Sequence, residues 1–291
     1  MRRVVEQVAK QVAERLRRVG VHGLLMPLLV MLLVVHVGPI VWFFVQTFSD
    51  VEHGFVDIAS TVVFSPVMLE VVWITVWIAA LVTVLALLAA YPIAYSLCHA
   101  GRGLATLILI CVIVPYFTSI VVRTYSWMVI LGRNGLINQV LMATGLASEP
   151  VSLMYNRTGV LIGMVYVLLP YLVLTLYATM KSIDANLLAA ARGMGASGAY
   201  TFLRVFLPLS LPGVVSGCLI VYILAIGFFI TPALMGGTED MMLAMLIQRE
   251  IEINLNWGLA ALFALVLLAI TLALYALYYR YANIDRMLGR S

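Results

Sequence analysis

The sequence predicts an all-α membrane protein with six transmembrane helices. Three observations carry that expectation. Of 291 residues, 64% are hydrophobic and 10% charged, against about 45–50% and about 25% in a soluble domain. The mean hydropathy of +1.09 leaves too little polar surface to clothe a water-soluble fold. The apolar residues gather into six runs, at 23–48, 67–99, 104–122, 158–180, 205–235 and 257–279. A helix needs about 20 such residues to cross the hydrocarbon layer, so tilt or overhang is expected for these runs. They are apolar on every side, whereas a membrane barrel would alternate polar and apolar residues.

The elements follow in order. Residues 1–22 are basic, with Val4, Val8, Val12 and Leu16 spaced as one helix face. The basic face of that amphipathic helix either rests on anionic headgroups or is simply solvated. The next run is too long for a signal-peptide core and is not closed by a small-x-small cleavage site, so it reads as a retained first span. His36 lies near its middle, as a neutral histidine hydrogen-bonded within the bundle or as a gate residue. A loop at 50–66 leads to the second span, which carries Glu70 and His99 at its ends, and a tight turn at 100–103 precedes the third. Segment 124–157 contains an apolar stretch, 127–131, too short to span; it lies at the interface or re-enters. The fourth span precedes the loop 181–204. In the fifth, Gly213 and Gly217 form a G-x-x-x-G step that permits close helix packing, within the subunit or against a partner, or acts as a hinge. Pro232, with Gly227 before it and Gly236-Gly237 after, breaks this span near its far end, as a gate or a substrate-contacting bend. An acidic segment at 236–256, the sixth span and a tail at 280–291 complete the chain. No linker divides residues 23–279, which form one membrane domain.

Charge sets the orientation. With both termini cytoplasmic, inside segments hold 13 of the 17 lysines and arginines but four of the 13 acidic residues. That is the bias of basic residues toward the cytoplasmic side.

Several chemistries are missing. No G-x-x-x-x-G-K-[ST] loop is present, so nucleotide hydrolysis is not expected on this chain. There is no H-E-x-x-H, and Cys98, Cys111 and Cys218 lack metal-ligand spacing, reading as buried small hydrophobes. No metal site, catalytic set or nucleic-acid surface is indicated. Ionisable residues at membrane depth are scarce, which disfavours a proton-coupled secondary transporter.

The loop after the fourth span is the most informative. Residues 182–213 read SIDANLLAAARGMGASGAYTFLRVFLPLSLPG. Asp184 and Asn186 suit a helix start. Gly193 and Gly195 stop that helix, a second short one runs from Ser197 or Gly198 to Arg204, and Pro208 and Pro212 bend or start the fifth span. Such a pair with small residues at its corner makes a compact knob, either for docking into a partner's groove or as a plain membrane-surface hairpin.

This segment resembles the EAA loop of permease subunits of bacterial ABC importers, whose pattern is E-A-A, three residues, G, nine residues, I-x-L-P. Ala190 and Ala191 fill the alanines and Gly195 the glycine; Val205, Leu207 and Pro208 complete the pattern, while the glutamate position is Ala189. PYFTSIVVRTYSW, GRNGLIN, YNRTGVLIGMV, GFFITPALMGG and NWGLA are similar to the polyamine (spermidine/putrescine) branch, which also has relatives handling opines, other amino compounds and phosphonates. The resemblance implies the fold of a type I importer permease (MetI-like) in a bacterial inner membrane. It implies a second, different permease chain, two ATP-binding subunits that hold ATP and Mg, and a periplasmic substrate-binding protein. On this reading Ala190, Ala191, Arg192, Gly195, Ala196, Ser197 and Pro208 form the ATPase-coupling element. A cationic substrate needs acceptor oxygens and aromatic faces. Glu70, Glu239, Asp240, Glu250 and Glu252 are candidate acceptors, with Tyr116, Tyr125, Trp127 and Trp257 as walls. The outer acids equally mirror the charge bias, and the outer aromatics equally serve as interfacial anchors.

Overall fold

The computed structural model describes residues 21–49 and 61–281. The amphipathic segment expected at 1–22, most of the loop at 50–66 and nearly all of the tail at 280–291 lie outside the described residues. Regular structure among the described residues is helical.

The first span, α1, is a helical run from Val21–Leu32 through a π-helical turn at Leu33–Val37 to Gly38–Ser49. It stands at the edge of the bundle, packed on the last span with Phe43 edge-on to Trp257 at 6.3 Å. His36 is exposed within the π-helical turn, so the expectation of a histidine bonded inside the bundle fails. A peripheral helix offers its mid-span side chains no bundle partner.

The core is built from three helices. α2 (Pro66–His99) starts with Ser65 accepting from the Met68 N–H and Pro66 at the first position, where a missing amide costs nothing. α6 (Arg157–Lys181) is capped by Asn156, whose side chain accepts from the Gly159 N–H. α8 runs continuously from Gly198 to Ile226, through Gly198–Thr201, a π-helical turn at Phe202–Phe206, and Leu207–Ile226. Ile78, Val82, Ala86, Ala90 and Ala94 form a stripe of small and medium residues along α2, against Met164, Leu168, Leu172 and Leu176 of α6. The G-x-x-x-G step packs inside the subunit: a Cβ on Gly213 would lie 2.6 Å from the Thr179 side chain, and one on Gly217 2.6 Å from Leu172.

Two expected spans are broken. The run at 104–122 is not one helix. α3 (Arg102–Tyr116) ends at Phe117, and α4 (Ile120–Leu131) and α5 (Leu136–Ala143) leave at 104° to it. The break is chemical. The Thr118 N–H and hydroxyl both bond the Pro115 carbonyl, and Ser119 begins the next helix. The 15 residues of α3 rise about 22 Å at about 1.5 Å each, short of a hydrocarbon layer of about 30 Å. The apolar stretch at 127–131 belongs to α4. The fifth span ends at Ile226, and α9 (Ile230–Met235) follows a break at Gly227, as the glycine-proline pattern predicts. The short helix α7 (Ala185–Gly193) precedes α8, while α10 (Leu243–Glu252) and the last span α11 (Trp257–Tyr281) follow α9.

Pro208 stands in the first turn of Leu207–Ile226, as expected of a proline that starts the span, while Pro212 lies inside that helix. α8 as a whole begins at Gly198 and runs past both prolines. The π-helical turn absorbs Pro208: the Leu207 N–H bonds back to the Phe202 carbonyl, widening the backbone just before a residue that would otherwise clash with it. The π-helical turn of α1 stands in the same register, two residues before Pro39.

Candidate functional site

Two regions concentrate unusual chemistry. The first is the hairpin between α6 and α8. Asp184 accepts from the Asn186 N–H and starts α7. α7 closes in a two-bond C-terminal cap: the Gly195 N–H bonds the Arg192 carbonyl at 2.9 Å and the Ala196 N–H the Ala191 carbonyl at 3.1 Å. That geometry needs the left-handed backbone of Gly195, at φ +89°. Ser197 then caps α8, accepting from the Tyr200 N–H.

The hairpin's residues divide by exposure. Ala190, Arg192, Gly195, Ser197 and Pro208 are exposed, Ala196 is half-buried, and Ala191 is buried. Ala191 therefore presents its small side chain inward to the hairpin corner rather than outward to a partner. Met194 is 84% exposed and Tyr200 57%, so large apolar side chains project from the tip.

An aromatic clamp holds the base of the hairpin to α2. Phe202 and Phe206 stack at 5.9 Å, and both meet Tyr95 edge-on at 5.4 and 5.1 Å. His99 lies over Tyr95 at 4.2 Å, and Tyr91 bonds Ser210 at 2.9 Å. Sequence reasoning missed this cluster, although Tyr91, Tyr95 and His99 recur every four residues on α2 and face a Phe pair spaced by four.

The second region lies where the two broken spans meet. The Thr124 and Thr231 hydroxyls bond at 3.2 Å, joining α4 to α9. Gly163 lets α9 approach α6: a Cβ there would lie 2.5 Å from Thr231 and 2.8 Å from Met235. Beside this joint, Tyr116 packs edge-on against Tyr171 at 5.3 Å. Tyr171 is half-buried at the fifteenth of the 25 residues of α6, while Tyr116, the last residue of α3, is 40% exposed.

Arg123 is 9% exposed, and its Nε and Nη1 have no hydrogen-bond partner. Counted from sequence only as an outer basic residue, it is a charge buried inside the protein. The signal was present, one arginine inside IVVRTYSW.

The candidate acids are not gathered. Among the described residues, no three of the acids, histidines or cysteines share a metal-sized site. Asp240 is buried and accepts from the Arg157 Nε and the Gly237 N–H, both at 3.1 Å. Glu250 is buried and accepts from the Asn254 side chain. Both serve the internal structure and do not form an open acceptor set. Glu70, Glu239 and Glu252 are exposed on separate elements. Trp127 packs against Tyr166 at 5.4 Å. Tyr125 lines a cavity of about 600 Å³ with Arg133 and residues 150–155, and Trp257 remains half-exposed at the start of α11.

The motifs that carry the resemblance are largely joints. Asn138 of GRNGLIN is fully buried and pins Gly132 and Val151 through three hydrogen bonds. Asn156, Arg157, Gly159 and Gly163 of YNRTGVLIGMV cap and seat α6, and Thr231, Met235 and Gly237 of GFFITPALMGG receive them.

Solved structures share this architecture. The chain matches, with a TM-score of 0.76 at 16% identity, a bacterial transporter of alginate in complex with an alginate-bound periplasmic protein, over 96% of this chain and 98% of that one. It matches the MetNI methionine ABC transporter with a TM-score of 0.55 at 15% identity, over 78% and 100%. In sequence it is 34% identical over 220 residues to the spermidine/putrescine transport system permease protein PotB of Haemophilus influenzae, covering 76% of this chain and 77% of that protein. It is 33% identical over 187 residues to PotB of Escherichia coli K12, covering 64% and 68%. The family described as binding-protein-dependent transport system inner membrane component matches residues 83–284. With its apolar spans and this match, the chain is a multi-pass membrane protein that belongs to the family of binding-protein-dependent transport permeases.

Proposed function

We propose that this permease forms half of the translocation path of an ATP-driven importer for a polyamine such as spermidine or putrescine. The likeness to the PotB proteins supports the substrate class. The observation that carries the coupling role is the continuity of the hairpin with a core span: α8 begins at the hairpin tip and runs unbroken to Ile226. Motion delivered to the tip therefore enters the bundle directly.

On this reading the hairpin faces the cytoplasm, as do both termini. The exposed Ala190, Arg192, Gly195 and Ser197, with Met194 and Tyr200, meet a groove on an ATP-binding subunit. ATP and Mg reside on that subunit. A second, different permease completes the path, and a periplasmic binding protein delivers substrate at the opposite end. Tyr116 and Tyr171, packed edge-on, offer aromatic faces that attract an amine.

The test is energised uptake of labelled spermidine into proteoliposomes holding the full transporter, with and without ATP. ATP-dependent uptake competed by putrescine is expected. Uptake of an opine or an aminophosphonate in place of polyamine would overturn the substrate; uptake without ATP, driven by an ion gradient, would overturn the class.

A further inference from the structure

A cavity of about 750 Å³ opens where the hairpin meets the ends of three helices. Arg102 at the first residue of α3, Lys181 at the last of α6 and Arg192 in the last turn of α7 line it. His99, the last residue of α2, lines it too, with Nδ1 against the Tyr95 carbonyl at 2.9 Å. No aspartate or glutamate lines this cavity. Asp184, the nearest acid in sequence, is engaged as the cap of α7. Among the described residues, Arg157 pairs with Asp240, at another joint. The three cations are therefore without a carboxylate partner among the described residues.

Two details sharpen the cavity. Lys181 Nζ donates to the Tyr177 hydroxyl at 2.9 Å and lies 5.1 Å from that ring, which positions the ammonium without neutralising it. α3 begins after Gly101 with no side-chain cap, so no side chain of its own neutralises the positive end of that helix beside the cavity. Ala189 lines the same wall. It occupies the glutamate position of the loop pattern, so the one acid that pattern would place here is missing.

We infer that this cavity holds an anionic phospholipid by its phosphate headgroup. The charge is complementary, and Leu97 and Leu109 supply apolar walls beside it. Arg102 and Lys181 mark the ends of helices in the apolar spans, the level at which headgroups lie. Basic pockets between helices at that level suit such lipids. A docking protein meets the projecting tip at Met194, Gly195, Ser197 and Tyr200, whereas this cavity lies between helix ends, with Arg192 at the border of the two surfaces. The cytoplasmic placement of the hairpin proposed above decides only which leaflet supplies the lipid.

The test is native mass spectrometry of the full chain in mild detergent, titrated with short-chain phosphatidylglycerol, phosphatidylcholine or inorganic phosphate. Preferential retention of phosphatidylglycerol is expected. Replacing both Arg102→Gln and Lys181→Gln should weaken it roughly thirtyfold, given the contribution of each basic residue to lipid attraction. Ala189→Glu should do likewise while leaving every cation in place, and Arg249→Gln, away from the cavity, should change nothing. If the double variant fails to fold, Ala189→Glu decides. Equal retention of both lipids, unchanged binding in Ala189→Glu, or phosphate displacing the lipid as an equal competitor would each overturn the assignment. Lipid retention is read without transport, so its failure and a failure of the importer reading are separate results.

Discussion

Thr124 and Thr231 meet hydroxyl to hydroxyl at 3.2 Å, and through that bond the two interrupted spans become one unit. Thr124 also donates to the Ile120 carbonyl within its own helix. Thr231→Val should therefore cost only about 1 kcal/mol, the net worth of one buried hydrogen bond. Gly163→Ala should cost more, about 1–3 kcal/mol, because the new methyl meets both Thr231 and Met235. Thermal unfolding in detergent, compared across the two variants, checks the order.

Gly195 sits at φ +89° with open space around an added Cβ. Gly195→Ala meets no steric wall and should cost about 1–2 kcal/mol of left-handed backbone strain, with the chain still inserted. Gly195→Asp places charge and bulk on the docking tip and is expected to abolish ATP-dependent uptake at normal membrane levels. Uptake assays beside immunoblots of the membrane fraction separate the two effects.

Arg123 is buried without partners for Nε and Nη1. An unpaired buried charge costs stability, so Arg123→Met should leave the melting temperature unchanged or raise it. Uptake should nonetheless fall several-fold if the charge shapes the path beside Tyr116 and Tyr171. A variant that melts earlier would mean that the guanidinium is structurally satisfied after all.

Phe206 is 3% exposed and central to the clamp. Phe206→Ala should cost about 3–5 kcal/mol and release the base of the hairpin. Amide exchange over residues 198–206 should then accelerate while the far ends of α2 and α6 stay protected. Uniform acceleration would instead show that the clamp holds the whole bundle.

Among the outer acids, Asp240→Asn should reduce stability, since Asp240 takes the Arg157 and Gly237 donors. Glu70→Gln and Glu252→Gln, both exposed, should leave the melting temperature unchanged. Circular-dichroism melts of the three variants test the contrast.

The hairpin was legible because its signals are local. Asp184, Gly195 and Ser197 each act within a few residues of themselves, so cap chemistry could be read in order along the chain. The break in the third span was not, because the short polar dip at Thr118-Ser119 lies between two apolar stretches that together match the length of one span. Its cause is a pair of bonds from Thr118 to one carbonyl. The burial of Arg123 and the internal roles of Asp240 and Glu250 depend on partners distant in sequence or on enclosure by other helices. Charge bias counted Arg123 as an outer residue, and the sequence offered Asp240 and Glu250 as substrate acceptors or as part of that bias. The clamp lay between these cases: its spacing was visible on each helix, but only folding brings the two patterns face to face.

The aromatic clamp also divides α8 into unequal arms. From Gly198 to Phe206 the helix covers about 12 Å, and from Phe206 to Ile226 about 30 Å, at about 1.5 Å per residue. If the hairpin is displaced as proposed above, a rod pivoting at Phe206 gears displacement up by a factor of about 2.5. A shift of 1 Å at the hairpin becomes about 2.5 Å beside the break at Gly227. On that reading, small strokes at the hairpin suffice to reset side chains at the far end of α8.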